Sequence, residues 1–158
     1  IMLATTAFAA SPTLRASAMN LLVETFEDHT GFRLVYTPPT ENASDDGLNF
    51  TVNWIPEGYE LESHRENRFS ARCVYSSDNC QELSIGLFEG ENTGLCLDTE
   101  NAEVHDEMIN GKKAVIITKE GVSQLCLIDE KKGNYLLITG SMEQTDDLVK
   151  IAQNIQFE

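Results

Sequence analysis

An Asn-Gly pair at positions 110 and 111 constrains this chain more than any other feature. A two-residue hairpin loop of that type needs positive φ at both central residues, which Asn and Gly tolerate, and its twist matches the strands it joins. The flanking runs, Glu103 to Ile109 and Ala114 to Lys119, are therefore expected to pair with Ile109 opposite Lys112 and Glu107 opposite Ala114. Phe69 to Tyr75, Gln81 to Phe88, Leu95 to Leu97, Gln124 to Ile128 and Tyr135 to Thr139 read as further short strands. Turn-forming segments, Glu120-Gly121 and Asp129 to Asn134 among them, divide these runs, which predicts an antiparallel meander of hairpins.

The stretch Leu48 to Leu61 enters this sheet differently. Leu48, Phe50, Val52 and Trp54 alternate with Asn49, Thr51 and Asn53, the pattern of a half-buried strand with a large apolar anchor at its end. Pro56 has no N–H for a ladder and Gly58 accepts positive φ, so Ile55 to Tyr59 is predicted to be a tight turn, with Tyr59 its member of functional interest.

Helical spacing is read at both ends. Ser11-Pro12 has the form of an N-cap followed by Pro at the first helical position, and apolar residues from Leu14 to Phe26 recur at three- and four-residue intervals up to about His29. Phe32 to Thr37 follows as a short strand, and Pro38-Pro39 with the polar run to Gly47 as a surface connection. At the other end Thr145 is placed to cap a helix carrying Leu148, Ile151, Ala152 and Ile155 on one face. The expected fold class is α+β: a twisted antiparallel sheet packed against N- and C-terminal amphipathic helices. Residues 1–10 are apolar and uncharged, with a small-x-small step at Ala7-Phe8-Ala9. They read as the remnant of a signal or membrane-anchor segment, which leaves residues 11–158 as a single extracytoplasmic domain.

Eleven Lys and Arg stand against 26 Asp and Glu, a formal net charge of −15. A surface of that sign repels phosphate backbones and anionic head groups, so nucleic acid is not an expected partner, and a membrane only through the N-terminal segment.

The four cysteines, Cys73, Cys80, Cys96 and Cys126, form no C-x-x-C pair and have no histidine at zinc spacing. A two- or four-residue loop around Ser76-Ser77 would set Cys73 opposite Cys80 within bridging reach, which leaves a disulfide and two free thiols both open. Cys96 and Cys126, each between leucines, read as small buried apolar residues.

The sequence contains no G-x-S-x-G, P-loop, G-x-G-x-x-G, H-E-x-x-H or EF-hand spacing. His29, His64 and His105 are scattered, and the acidic group Asp98, Glu100, Glu103, Asp106 and Glu107 lacks a glycine-turn coordination loop and reads as a solvated face. The sequons at Asn42 and Asn49 read as chance matches. No catalytic residue, cofactor or metal is expected, and the chain reads as non-enzymatic.

Three segments carry a likeness in their order and spacing: Trp54-Ile55-Pro56-Glu57-Gly58-Tyr59, Ile109-Asn110-Gly111-Lys112-Lys113-Ala114, and Tyr135 to Gly140 followed by Asp147 to Ile155. In these the chain resembles domain of unknown function family 4367, found in cell-envelope proteins of low-GC Gram-positive bacteria. The resemblance implies an extracytoplasmic domain held by one N-terminal membrane helix, in some cases in an anti-sigma-like arrangement, which senses or binds a protein or envelope ligand. It implies no catalytic residues. The alternative expectation is a secreted or lipid-anchored carrier that holds an apolar small molecule between sheet and helices.

Overall fold

The computed structural model describes residues 48–89, 95–129 and 132–157, together with the strand backbones at 21–25 and 30–34. Seven strands form one antiparallel sheet: β4 (Tyr59–Asn67), β5 (Ser70–Ser77), β6 (Glu82–Glu89), β8 (Glu103–Ile109), β9 (Lys112–Lys119), β10 (Val122–Asp129) and β11 (Asn134–Ser141). Their spatial order is β4-β5-β6-β11-β10-β9-β8. Two three-or-more-strand meanders are thus joined through β6 and β11. The chain leaves the sheet after β6, re-enters at the far edge with β8 and works back until β11 lies beside β6. A simple sequential meander is corrected accordingly.

The register around Asn110-Gly111 is the expected one, with Ile109 opposite Lys112 and Glu107 opposite Ala114. Asn110 and Gly111 have φ of 51° and 76°. Glu120-Gly121 repeats this conformation, at 50° and 82°, between β9 and β10.

The fold is predominantly β, which overturns the expectation of α+β with a helix at each end. Leu21–Thr25, expected to be the second half of an N-terminal helix, is strand β1, paired with β2 (Thr30–Leu34) so that Val23 stands opposite Phe32. A short apolar run containing Val and Thr satisfies helical and strand patterns alike, and pairing with β2 decides between them. β2 in turn pairs with β7 (Leu95–Leu97), giving a three-stranded sheet. Residues 1–20, with the apolar start, the Ser11-Pro12 helix start and the Ala7-Phe8-Ala9 step, lie outside the described residues, as do His29, the Pro38-Pro39 connection and the Asn42 sequon.

Among the described residues there is one α-helix, α1 (Thr145–Gln153), which follows a 3-10 turn at Met142–Gln144. Its expected apolar face holds for Leu148, Ile151 and Ala152, which are buried, but Ile155, expected on the same face, lies beyond the helix in strand β12 (Ile155–Phe157). Its expected cap does not form. Gln144 occupies the N-cap position without a side-chain cap, and the Thr145 hydroxyl instead meets buried Ser123 at 2.7 Å, which meets Thr118 at 3.0 Å. This hydroxyl chain fixes the start of α1 over the β9–β10 turn.

Alternation along the strands gives the sheet two unlike faces. On the helix face Leu83, Ile85, Leu125, Leu127, Leu136 and Ile138 meet Leu148 and Ile151, all at 2 % exposure or less. On the opposite face Val115, Ile117, Cys126, Ile128 and Tyr135 pack beneath Leu95 and Leu97 of β7. That cover lies over the β9–β11 part of the sheet; Arg72, Ser84 and Thr139, on the same face nearer β5, remain partly or largely exposed.

The stretch from Leu48 alternates as expected, with Phe50 buried and Asn49, Thr51 and Asn53 exposed. It is not a strand of the main sheet. Its extended part is only β3 (Phe50–Val52), paired with β12 (Ile155–Phe157). The chain then runs back along α1. The Asn53 N–H donates to the Asn154 carbonyl at 3.0 Å, Lys150 lies 3.8 Å above the centre of the Trp54 ring, and Tyr59 reaches Gln144. Trp54 is therefore a half-buried wall beside the helix and not a fully buried strand anchor. The Tyr59 N–H to Pro56 carbonyl bond, at 3.4 Å, and Gly58 at φ 88° close the predicted turn.

Candidate functional site

The uncovered half of the open face holds a cleft of about 440 Å³. It exists because β6 carries Ser84 and Gly86, two small residues, on the face opposite Leu83, Ile85 and Leu87. Phe88 folds back over Gly86: a Cβ at position 86 would lie 2.6 Å from the Phe88 ring. That ring stacks on Tyr135 at 5.2 Å and 19°. Leu137 and Thr139 of β11 form the second wall, and Arg72 of β5 the rim.

Arg72 is oriented by the sheet. Its Nε donates to Ser84 Oγ at 2.9 Å, so the guanidinium lies along the cleft edge. In the ladder Arg72 has Gly86 on one side and Arg65 of β4 on the other, on the same face. Glu82 lines the cleft as well. Apolar walls with a fixed guanidinium at the rim suit recognition of a partly apolar molecule carrying a polar head.

A second group brings residues together that spacing alone did not. His64 on β4 stands opposite Cys73 on β5, and Glu66 lies 4.0 Å from His64 Nε2. Thiol, imidazole and carboxylate are the set from which a cysteine nucleophile is built. The chemistry here runs the other way. Burial pushes the Cys73 thiol above its ordinary value, and its hydrogen-bond partner is Tyr75, whose hydroxyl is raised as well by burial and by Cys73. A thiol held neutral is a poor nucleophile.

The expected opposition of Cys73 and Cys80 does not occur. Cys73 stands opposite Ile85, and Ser77 closes onto Gln81, so that Cys80 is a loop residue at φ 58°. Both thiols are free, as is that of Cys126. The loop is a turn from Ser77 to Cys80 whose last residue, Cys80, is left-handed, which moves the register from that of a two-residue loop. Cys126 is buried as expected, and burial pushes its thiol up to about 12. The side chain of Cys96 lies outside the described residues.

The turn residues are structural. Pro56, Gly58 and Tyr59 return the chain along α1, and Asn110 Nδ2 donates to the Gln153 carbonyl at 2.9 Å, tying the Asn110-Gly111 tip to the end of the helix. In the acidic group, Asp98 binds Lys119 at 2.6 Å and Glu103 lies 3.1 Å from His105. Among the described residues no three of His, Cys, Asp or Glu gather to hold a metal ion. No helix of the described residues is long and apolar enough to cross a membrane.

Sequence reasoning missed the cleft. Its walls come from β5, β6 and β11, with Gly121 and Val122 from the β9–β10 turn, and the β6–β11 pairing joins residues far apart in the chain. The local signal was the alternation in Leu83-Ser84-Ile85-Gly86-Leu87, which puts large residues on one face and small ones on the other.

A family model described as Domain of unknown function (DUF4367) matches residues 49–155. The match takes in β3 to β11, α1 and the first residue of β12, and with them the cleft. No curated protein matches the chain.

Proposed function

We propose, for a chain that belongs to the DUF4367 family, a role as a non-enzymatic binding domain of a bacterial cell-envelope protein, acting outside the membrane from an N-terminal anchor and sensing a ligand through the cleft over Gly86. The observation that carries this reading is the cleft itself, with its Phe88 and Leu137 walls and the Arg72 rim. The raised Cys73 thiol supports binding over nucleophilic catalysis. The filled space between sheet and α1, where Leu83, Leu125 and Leu148 are fully buried, favours the open face over an apolar chamber beneath the helix.

Location is tested through Cys80, which is exposed and free. In intact cells producing the native protein, after mild reduction, a membrane-impermeant maleimide is expected to label Cys80. Labelling only after lysis would contradict an extracytoplasmic domain.

A further inference from the structure

We infer that the cleft takes an amphipathic anion, whose phosphate or carboxylate head meets Arg65 and Arg72 and whose apolar body lies against Phe88 and Leu137. The inference rests on the binding role proposed above and adds the class of ligand.

The starting point is an unfavourable arrangement. Arg65 and Arg72 are directly opposed across β4 and β5, on the same face. Like charges in that position destabilise a sheet. The chain has 26 carboxylates with which to relieve them. Among the described residues, ion pairs form at His64–Glu66, His105–Glu103, Lys112–Asp129 and Lys119–Asp98, and none reaches Arg65 or Arg72. Arg72 makes one side-chain hydrogen bond, from Nε to Ser84, which directs the guanidinium and leaves its terminal nitrogens for a ligand.

Two arginines at opposed ladder positions on one face supply N–H donors for the oxygens of a phosphate or carboxylate. The adjoining wall is apolar, so a head group alone uses half of the site. The rest of the surface is strongly acidic, with a formal net charge of −15, and repels an anionic bilayer as a whole. A single amphiphile entering the cleft meets Arg72 at its rim, with Arg65 next to it in the ladder, and avoids that repulsion. Glu82, at the Gln81 end of the cleft, disfavours an anion there and directs the head group toward Arg72.

The test is calorimetric titration of the wild-type domain and of Arg65→Gln, Arg72→Gln and the double variant with octyl phosphate, octanoate, octyltrimethylammonium and inorganic phosphate. Saturable one-to-one binding of octyl phosphate or octanoate is expected, at least tenfold tighter than inorganic phosphate and tenfold weaker in the double variant. The tighter of the two octyl anions identifies the head group. Equal affinity in the double variant, or equal binding of octyltrimethylammonium, would overturn the inference while leaving the cleft as a binding site. No saturable binding of any octyl compound would overturn both. Both arginines are exposed, so the variants fold, and thermal melting without ligand gives a separate reading. Arg65→Gln is expected to keep or raise the melting temperature, whereas a lowered one would assign the pair to the fold and overturn the inference.

Discussion

Gln144 donates its side-chain amide to the Tyr59 hydroxyl across 2.6 Å, and Tyr59 in turn donates to Gln81 at 3.2 Å. The same Gln144 accepts from the Ser141 N–H and hydroxyl, both at 3.1 Å. Three segments distant in the chain therefore meet at a buried amide: the return from Trp54, the β5–β6 loop and the start of α1. Tyr59→Phe removes the acceptor for that amide. A loss of about 1–2 kcal/mol is expected, the cost of leaving a buried donor unpaired. Urea unfolding measures it.

Trp54 and Lys150 tie the other end of the same return. Because Trp54 is half-buried, Trp54→Ala is expected to cost about 2–3 kcal/mol, below the range for a fully buried aromatic. Lys150→Ala is expected to cost about 0.5–1 kcal/mol through the lost cation–π contact. A double-mutant cycle should return a coupling of similar size.

The two equivalent turns differ in one residue. Asn110-Gly111 has the residues that its conformation favours, whereas Glu120 adopts φ 50° with a longer side chain. Glu120→Asn is expected to stabilise by about 0.5–1 kcal/mol, since Asn enters the left-handed region more readily than Glu. Gly111→Ala, at φ 76°, is expected to destabilise by about 1 kcal/mol. Thermal melts of the two variants should shift in opposite directions.

Alkaline pH should weaken the fold through Cys126. Burial raises its thiol from 9.0 to about 12, so between these values the folded chain keeps a proton that the unfolded chain releases. Stability from this group is complete below pH 9 and is lost as pH rises toward 12. Cys126→Ala should flatten the decline of unfolding free energy measured over pH 9–11. With a thiol reagent at pH 8, Cys80 is expected to react first, Cys73 more slowly, and Cys126 only on unfolding.

The β8 edge is guarded by charge. Val104 and Met108 are 47 % and 56 % exposed on one face, with Asp106 between them. Asp106→Val completes an apolar stripe on an open strand edge, and sedimentation should show stronger self-association than the wild type at the same concentration.

Where local chemistry decides, the sequence was readable. Asn110-Gly111 set a register correct to the residue, and Leu148, Ile151 and Ala152 marked the buried side of α1. Leu21–Thr25 could not be read as a strand because its apolar spacing suits either element until Phe32 is placed beside Val23. The Cys73–Cys80 opposition failed because the turn lies at Ser77 to Cys80 and not around Ser76-Ser77, which keeps Ser76 in the ladder and sets Cys73 opposite Ile85. The cleft was out of reach for a different reason. Arg72, Gly86 and Leu137 become neighbours only when β11 docks beside β6, and that pairing is decided by packing of the whole sheet.

The most direct test is to map where octyl phosphate lies by amide chemical-shift perturbation on the labelled domain. Shifts concentrated at Arg72, Ser84, Gly86, Phe88 and Leu137, with Leu148 and Ile151 unmoved, are the predicted result. Shifts centred on Leu148 and Ile151 would place the ligand between sheet and helix and contradict the account.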